Sequence, residues 1–120
     1  MLFRSAVAPV LSTGETILGQ PLVYPPAAAG APHVTAVIVT LPPGAATGWH
    51  WHDVPLFGYL LEGELTVAYE GAGERVYRPG DALMEAIGTP HDGHKTGAAD
   101  VRILAVFIGA EGIQNSEKVE

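Results

Sequence analysis

The chain has no cysteine among its 120 residues. A disulfide framework, a thiolate zinc site and a cysteine nucleophile are therefore excluded. Cations are also scarce, since six lysines and arginines stand against thirteen aspartates and glutamates, for a formal net charge of −7. So few basic residues cannot neutralise a run of phosphates, and we expect no nucleic-acid partner.

Long hydrophobic runs are missing as well. No stretch approaches the roughly 20 consecutive apolar residues that a membrane-spanning helix needs. The first residues carry one arginine and a short apolar run interrupted by Pro9, which does not match a secretory signal. These features predict no membrane partner and a cytoplasmic location.

Sustained helical periodicity is the third absence. Fifteen glycines and ten prolines divide the chain into short segments, and none keeps a helical pattern for three turns. Several of these segments are rich in β-branched and aromatic residues, which is typical of strands. Strands are expected in residues 33–41, in two runs of residues 57–71 hinged near Gly63, and in residues 101–109. The unbroken apolar character of the last segment predicts burial on both of its faces.

Many short strands separated by turns predict a small all-β sandwich or barrel. The length favours one domain over residues 1–120. Within it we expect an N-terminal arm and edge strands in residues 1–32 and a C-terminal tail in residues 110–120 that frays. The extended arm and the apolar "ILAVFI" segment are consistent with a homodimer.

Two histidines stand two positions apart in "GWHWHDVPLFGYLLEG". Strand side chains alternate between faces, so His50 and His52 would lie on one face, about 7 Å apart along the strand. Both imidazoles could then converge on one metal ion. Asp53 would point to the opposite face, which makes it a poor ligand for the same ion.

The spacing around these histidines resembles the cupin family, over roughly residues 33–108. The family's two sequence motifs are matched at Gly44, His50, His52 and Gly63, and at Gly80, Gly88 and His91. The resemblance implies a small single-domain cupin, with a jelly-roll (double-stranded β-helix) barrel. It also implies that His50, His52 and His91 bind a metal ion.

Three positions depart from the family pattern. Leu56 stands where the first motif has a glutamate ligand, while Ala86 and Lys95 replace a proline and an asparagine of the second motif. The metal site that the resemblance implies therefore lacks its usual carboxylate.

Glu85, in "DALMEAI", is our candidate for the missing carboxylate. It shares a strand face with Leu83 and Ile87, and a carboxylate inside a barrel is costly unless it is paired or bound to a cation. Glu85 is expected to be a metal ligand or, if not a ligand, a catalytic general base. The alternatives are that it faces solvent or pairs with Arg102 or Lys95.

His94 is a further candidate. It lies three residues after His91, so strand alternation predicts that it faces away and contacts solvent. A turn at Gly93 could instead bring it back as a spare ligand or proton carrier.

A site of imidazoles with at most one carboxylate suits a divalent transition metal: Fe, Mn, Ni, Cu or Zn. Three protein histidines leave coordination positions open, as in catalytic sites. We expect an enzyme with oxygenase, isomerase or lyase chemistry on a small organic molecule. The alternatives are a non-catalytic sensor that binds a metal or a small ligand, which Leu56 favours, and a metal-free cupin that uses His50 or His91 for acid–base chemistry.

Overall fold

The computed structural model describes residues 6–24 and 30–120. Within these residues there are nine strands and no helix. The strands are β1 (Pro32–Leu41), β2 (His50–Trp51), β3 (Leu56–Glu62), β4 (Leu65–Tyr69), β5 (Gly73–Tyr77), β6 (Ala82–Met84), β7 (His91–Lys95), β8 (Val101–Ala110) and β9 (Glu117–Lys118). The described residues accordingly hold no helix of a length and apolarity that could cross a membrane.

The strands form two antiparallel sheets. One has the order β1-β8-β3-β6 and the other β5-β4-β7-β2-β9. Both sheets contribute to one hydrophobic core, in which the buried side chains include Leu41, Leu60, Leu65, Tyr77 and Val101. The predicted all-β jelly roll is confirmed.

The alternation of side chains decides which residues reach the interior. In β3, Leu56, Gly58 and Leu60 line an internal cavity, whereas Phe57 and Tyr59 point outwards. The turn after β3 depends on Gly63, which has a φ of 78°. A side chain there would collide with the carbonyl oxygen of Asp100, so glycine satisfies both the backbone angle and the space.

The outer side of β8 differs from the expected burial. Leu104, Val106 and Ile108 are only half-buried, and Arg102 is exposed. Because β8 lies between β1 and β3, its backbone is paired on both sides from Arg102 to Phe107, but its outward side chains belong to an open sheet face.

Segments on either side of the central strands, residues 16–20 and the C-terminal segment, contact the barrel. Residues 16–20 reach β6, where the backbone N–H of Ile17 donates to the Met84 carbonyl and Gln20 bonds to the backbone of Ile87. The C-terminal segment, expected to fray, instead forms β9 and pairs with β2. Residues 1–5 and 25–29, which belong to the predicted N-terminal arm, lie outside the described residues.

Candidate metal centre

Three histidines meet at one end of the cavity. His50 lies in β2 directly opposite His91 of β7, and His52 follows β2 by one residue. The ring centroids are 4.5 Å apart for His50 and His91, and 4.9 Å apart for the other two pairs. One nitrogen from each ring lies within 4.8 Å of the other two. The strand pairing thus joins the two sequence motifs in one cluster.

The Nδ1 atom of each histidine faces a backbone carbonyl. Nδ1 of His50 lies 2.7 Å from the Gly48 oxygen, that of His52 lies 3.0 Å from the Asn115 oxygen, and that of His91 lies 2.8 Å from the Thr89 oxygen. A carbonyl oxygen can only accept, so Nδ1 must carry the proton in every ring. The Nε2 lone pairs of the neutral rings are then free to bind a metal ion.

His52 has a second partner on the C-terminal segment. The Ser116 hydroxyl oxygen lies 2.9 Å from its Nδ1 atom, beside the Asn115 carbonyl. This segment was not recognised as part of the site, because no motif in the sequence links two positions more than 60 residues apart.

Glu85 follows β6 and is 8% exposed. Its Oε2 atom lies 3.8 Å from Nε2 of His91, and its Oε1 atom accepts from the backbone N–H of Ala86 at 2.8 Å. The carboxylate does not join the cluster of three nitrogens at the 4.8 Å distance. Glu85 therefore faces the histidines from beside His91 and does not point to solvent.

The alternative partners of Glu85 are occupied elsewhere. Arg102 pairs with Glu62 at 3.3 Å, and the Lys95 ammonium donates to the carbonyls of Gly97 and Ala98. Neither cation is the partner of the Glu85 carboxylate.

The other residues around the motifs fall outside the histidine cluster. Asp53 is exposed, as the alternation predicts. His94 pairs with Thr66 on the outer face of its sheet and does not line the cavity. Leu56 is buried and lines the cavity, opposite Phe107 in the sheet.

The cavity has a volume of about 360 Å³. Polar side chains on its wall come from His50, His52, His91, Glu85, Tyr77, Thr47, Ser116 and Lys118. The rest of the wall is mainly aliphatic or aromatic, from Val39, Leu41, Leu56, Leu60, Leu65, Val67, Leu83, Ile103, Ala105 and Phe107. This is a pocket of the size and character that suits a small organic molecule.

Burial keeps two of the histidines neutral. Desolvation lowers the pKa of His52 to about 4, although its bond to the Asn115 carbonyl opposes the shift. Desolvation also lowers the pKa of His50, and the neighbouring His91 acts in the same direction. The neutral imidazole is the form that binds a metal, so these rings need lose no proton to do so at neutral pH.

Two phenols lie near the histidines, Tyr77 on the cavity wall and Tyr69 beside His91. The hydroxyls of Tyr69 and Tyr77 are 2.8 Å apart, and the Tyr69 ring lies 5.6 Å from the His91 ring. Burial, followed by the negative charge of Glu85, raises the pKa of Tyr69, and burial raises that of Tyr77. Both hydroxyls therefore hold their protons near neutral pH.

The donor set fits a divalent transition metal. Three neutral imidazoles converge with their Nδ1 protons held by carbonyls, and a carboxylate lies beside one of them. Such imidazole-rich sets suit Fe, Mn, Ni, Cu or Zn, and hydrogen bonds to the outer nitrogen are the usual support of a histidine ligand.

Solved structures with the same fold come from several kinds of protein. Oxalate decarboxylase from Lactobacillus farciminis in complex with formate matches with a TM-score of 0.63 and 22% identity, over 72% of this chain and 26% of the other. The DMSP lyase DddQ from Ruegeria pomeroyi matches with a TM-score of 0.61 and 24% identity, over 72% of this chain and 43% of the lyase. A cupin-like protein from Thermotoga maritima matches with a TM-score of 0.63 and 17% identity, over 72% of this chain and 64% of the other.

This chain thus spans about a quarter of the oxalate decarboxylase that it matches. None of the curated proteins matches it significantly. The family model described as the cupin domain matches residues 37–107, which is more than half of the chain and includes all three clustered histidines. Sequence motifs, barrel and family match agree, and the chain belongs to the cupin domain family.

Proposed function

We propose that this cupin is a metal-dependent enzyme that acts on a small organic molecule, with a divalent transition metal held by His50, His52 and His91. The observation that carries the proposal is that all three Nδ1 protons are committed to carbonyl oxygens. Histidines that only pack against one another would not all need the same tautomer, with the proton on Nδ1 and the Nε2 lone pair free. The oxalate decarboxylase and DMSP lyase of the same fold are named as enzymes of small molecules, which supports the proposal.

A divalent ion at this place would act as a Lewis acid on an oxygen of the bound molecule. Three protein ligands leave room for that oxygen to bind. Oxygenase, isomerase and lyase reactions all use such an arrangement, and the reaction of this protein belongs to one of these classes in our proposal.

Glu85 is the proton acceptor in this proposal. Its carboxylate lies at the histidine end of the cavity, and its charge balances the cationic centre. Tyr77 lines the same cavity, and its hydroxyl is hydrogen-bonded to that of Tyr69. Leu56 and Phe107 add apolar side chains to this end of the wall.

The proposal is tested by the metal content of the purified protein, measured by plasma mass spectrometry after reconstitution with zinc, manganese or iron. Wild type should hold close to one ion per chain, and the three variants His50→Ala, His52→Ala and His91→Ala should each lose it. His94→Ala is the matched control, because His94 lies on the outer face, and it should keep the ion. An equal metal content in all four variants would overturn the assignment.

A second candidate function is the binding of a small ligand without turnover. Leu56 favours it, because a buried leucine lines the cavity where the family motif has a ligand glutamate. Metal-loaded protein that binds small carboxylates tightly but consumes none of them, with or without dioxygen, would support this second function.

We also propose that the protein is a homodimer. The outer face of the four-stranded sheet is an apolar surface formed by Val34, Ala36, Ile38, Phe57, Tyr59, Leu104, Val106 and Ile108. Val34 and Ile38 are 62% and 46% exposed. Contiguous apolar surface of this kind marks an interaction site in a globular protein. A second copy of the chain that packs its own outer face against this one would bury both apolar surfaces.

A further inference from the structure

We propose that the molecule bound in this cavity is a monoanion with one oxygen-donor head and one apolar tail, and not a dianion such as a dicarboxylate. The inference rests on the proposed metal function for the position of the head. It goes further in naming the chemical class of the bound molecule, which follows from the distribution of polar and apolar groups along the wall.

The cavity runs lengthwise between the sheets. Its wall includes both Leu56 and Leu60 of β3, and both Phe107 and Ile103 of β8. The two residues of each strand are four positions apart, which corresponds to about 13 Å along the strand. Leu56 is paired with Phe107, and Leu60 with Ile103, so the two pairs mark two separate levels of the cavity.

One level is polar. Leu56 accepts a hydrogen bond from the backbone of Glu85 through its carbonyl oxygen, and the Phe107 ring lies 5.5 Å from the His52 ring. Lys118, on β9, pairs directly with His50 on β2 and contributes to the cavity wall. The histidines, the carboxylate and the cation thus gather at the level of Leu56 and Phe107.

The other level is apolar. Val39 pairs with Ile103 across β1 and β8, and Leu41, Leu60 and Leu65 complete the wall there with aliphatic side chains. Among the cavity-lining residues in the described part of the chain there is no arginine. A second carboxylate placed at this level would be buried without a cation to compensate for its lost hydration. The hydroxyl of Tyr77, which pairs with Leu65, is already bonded to that of Tyr69.

The charge of the polar level selects the head group. A divalent ion and the Glu85 carboxylate together leave one positive charge in excess, while Lys118 is exposed and its ammonium is screened by water. A carboxylate or enolate head satisfies that excess and supplies the oxygen donors that such an ion accepts. A neutral hydrocarbon would leave these polar groups uncompensated, and a dianion would place its second charge among the leucines.

The experiment measures the binding of two matched series of probes by isothermal titration calorimetry on the zinc-loaded full chain. The monocarboxylates are butanoate, hexanoate and octanoate, and the dicarboxylates of equal length are succinate, adipate and suberate. The affinity of the monocarboxylates should rise about fourfold per added methylene until the cavity is filled. Each dicarboxylate should bind at least about tenfold more weakly than its partner of equal length.

Two variants place the tail. Val39→Phe fills the apolar level and should abolish the gain from the longer tails, while Ile38→Phe, its neighbour on the outer face, should leave the series unchanged. Should Val39→Phe fail to fold, the wild-type series still tests the proposal.

The outcomes separate this inference from the proposed function. Zinc-loaded protein that binds suberate as tightly as octanoate, or that shows no gain with tail length, overturns the inference and leaves the metal centre intact. A chain that retains no zinc but keeps the dependence on tail length supports the apolar tail site and overturns the proposed metal function.

Discussion

Nε2 of His91 and Oε2 of Glu85 face each other at 3.8 Å inside the cavity, while Nδ1 of His91 bonds to the Thr89 carbonyl. With Nδ1 carrying the proton, Nε2 of the ring and the carboxylate oxygen both present lone pairs to the same part of the cavity, as two ligand atoms of one cation would. This relationship links the proposed metal ligand His91 to the carboxylate that we propose for the same site.

The first prediction concerns Glu85→Gln, which keeps the shape of the side chain and removes its charge. We expect zinc affinity to fall about tenfold or more, since groups adjoining a metal ligand contribute at that level. Competition with a chromophoric chelator measures the change. Glu62→Gln is the control, because Glu62 pairs with Arg102 on the surface, and it should bind zinc like wild type. Equal affinities for the two variants would remove Glu85 from the metal centre.

The C-terminal segment provides the second prediction. A chain that ends at Ile113 loses the Asn115 carbonyl and the Ser116 hydroxyl, which hold Nδ1 of His52, together with β9. Zinc affinity should fall by about 10- to 100-fold, because the ring loses its fixed orientation. Ser116→Ala should have a smaller effect, since the Asn115 carbonyl still accepts the hydrogen bond from Nδ1. The control is Gln114→Ala, a substitution at an exposed neighbouring position. A truncated chain with wild-type affinity would show that His52 needs no such support.

The third prediction is the pH dependence of stability in the metal-free protein. His52 has a pKa of about 4 in the folded state against 6.5 as its ordinary value. Well above pH 6.5 neither state binds the proton, and the contribution of His52 to stability is complete. As the pH falls towards 4, the unfolded state takes up a proton that the folded state does not, and folding weakens.

Between pH 6.5 and pH 5 this difference costs about 2 kcal/mol of unfolding free energy. Urea denaturation at a series of pH values measures it. His52→Gln cannot titrate and should show a flatter profile over the same range. Parallel profiles for the two proteins would mean that His52 is not the source of the acid sensitivity.

The fourth prediction concerns the proposed homodimer. Ile38→Asp places a charge on the apolar outer face and should convert the protein to a monomer, because a buried unpaired carboxylate opposes association. Thr40→Asp introduces the same charge on the same strand and face, two residues further on beside the exposed Arg102, and should remain dimeric. Light scattering after size-exclusion chromatography gives the mass of each. A monomeric wild type would refute the proposal directly.

Much of the fold was predictable because the signals are local. Glycines and prolines interrupt every helical pattern, and alternating residues within each segment mark its two faces. The same alternation predicted that His50 and His52 share a face, that Asp53 does not, and that Glu85 points inwards. Even two of the three Nδ1 contacts are local, since Gly48 and Thr89 each lie two residues before the histidine that they hold.

Tertiary structure alone decided the rest. The contacts of Asn115 and Ser116 with His52 join positions more than 60 residues apart, and no spacing in the sequence indicates them. The half-exposed outer side of β8 also escaped prediction, because an apolar run does not say whether its second face meets another layer of the same chain.

The sequence by itself determined most of the strands, the shared face of His50 and His52, and the family, because each depends on residues close together in the chain. Only the tertiary structure decided which distant groups orient His52 and where the polar and apolar levels of the cavity lie. Those relationships depend on how strands far apart in sequence pair and pack, and short-range patterns carry no information about that pairing.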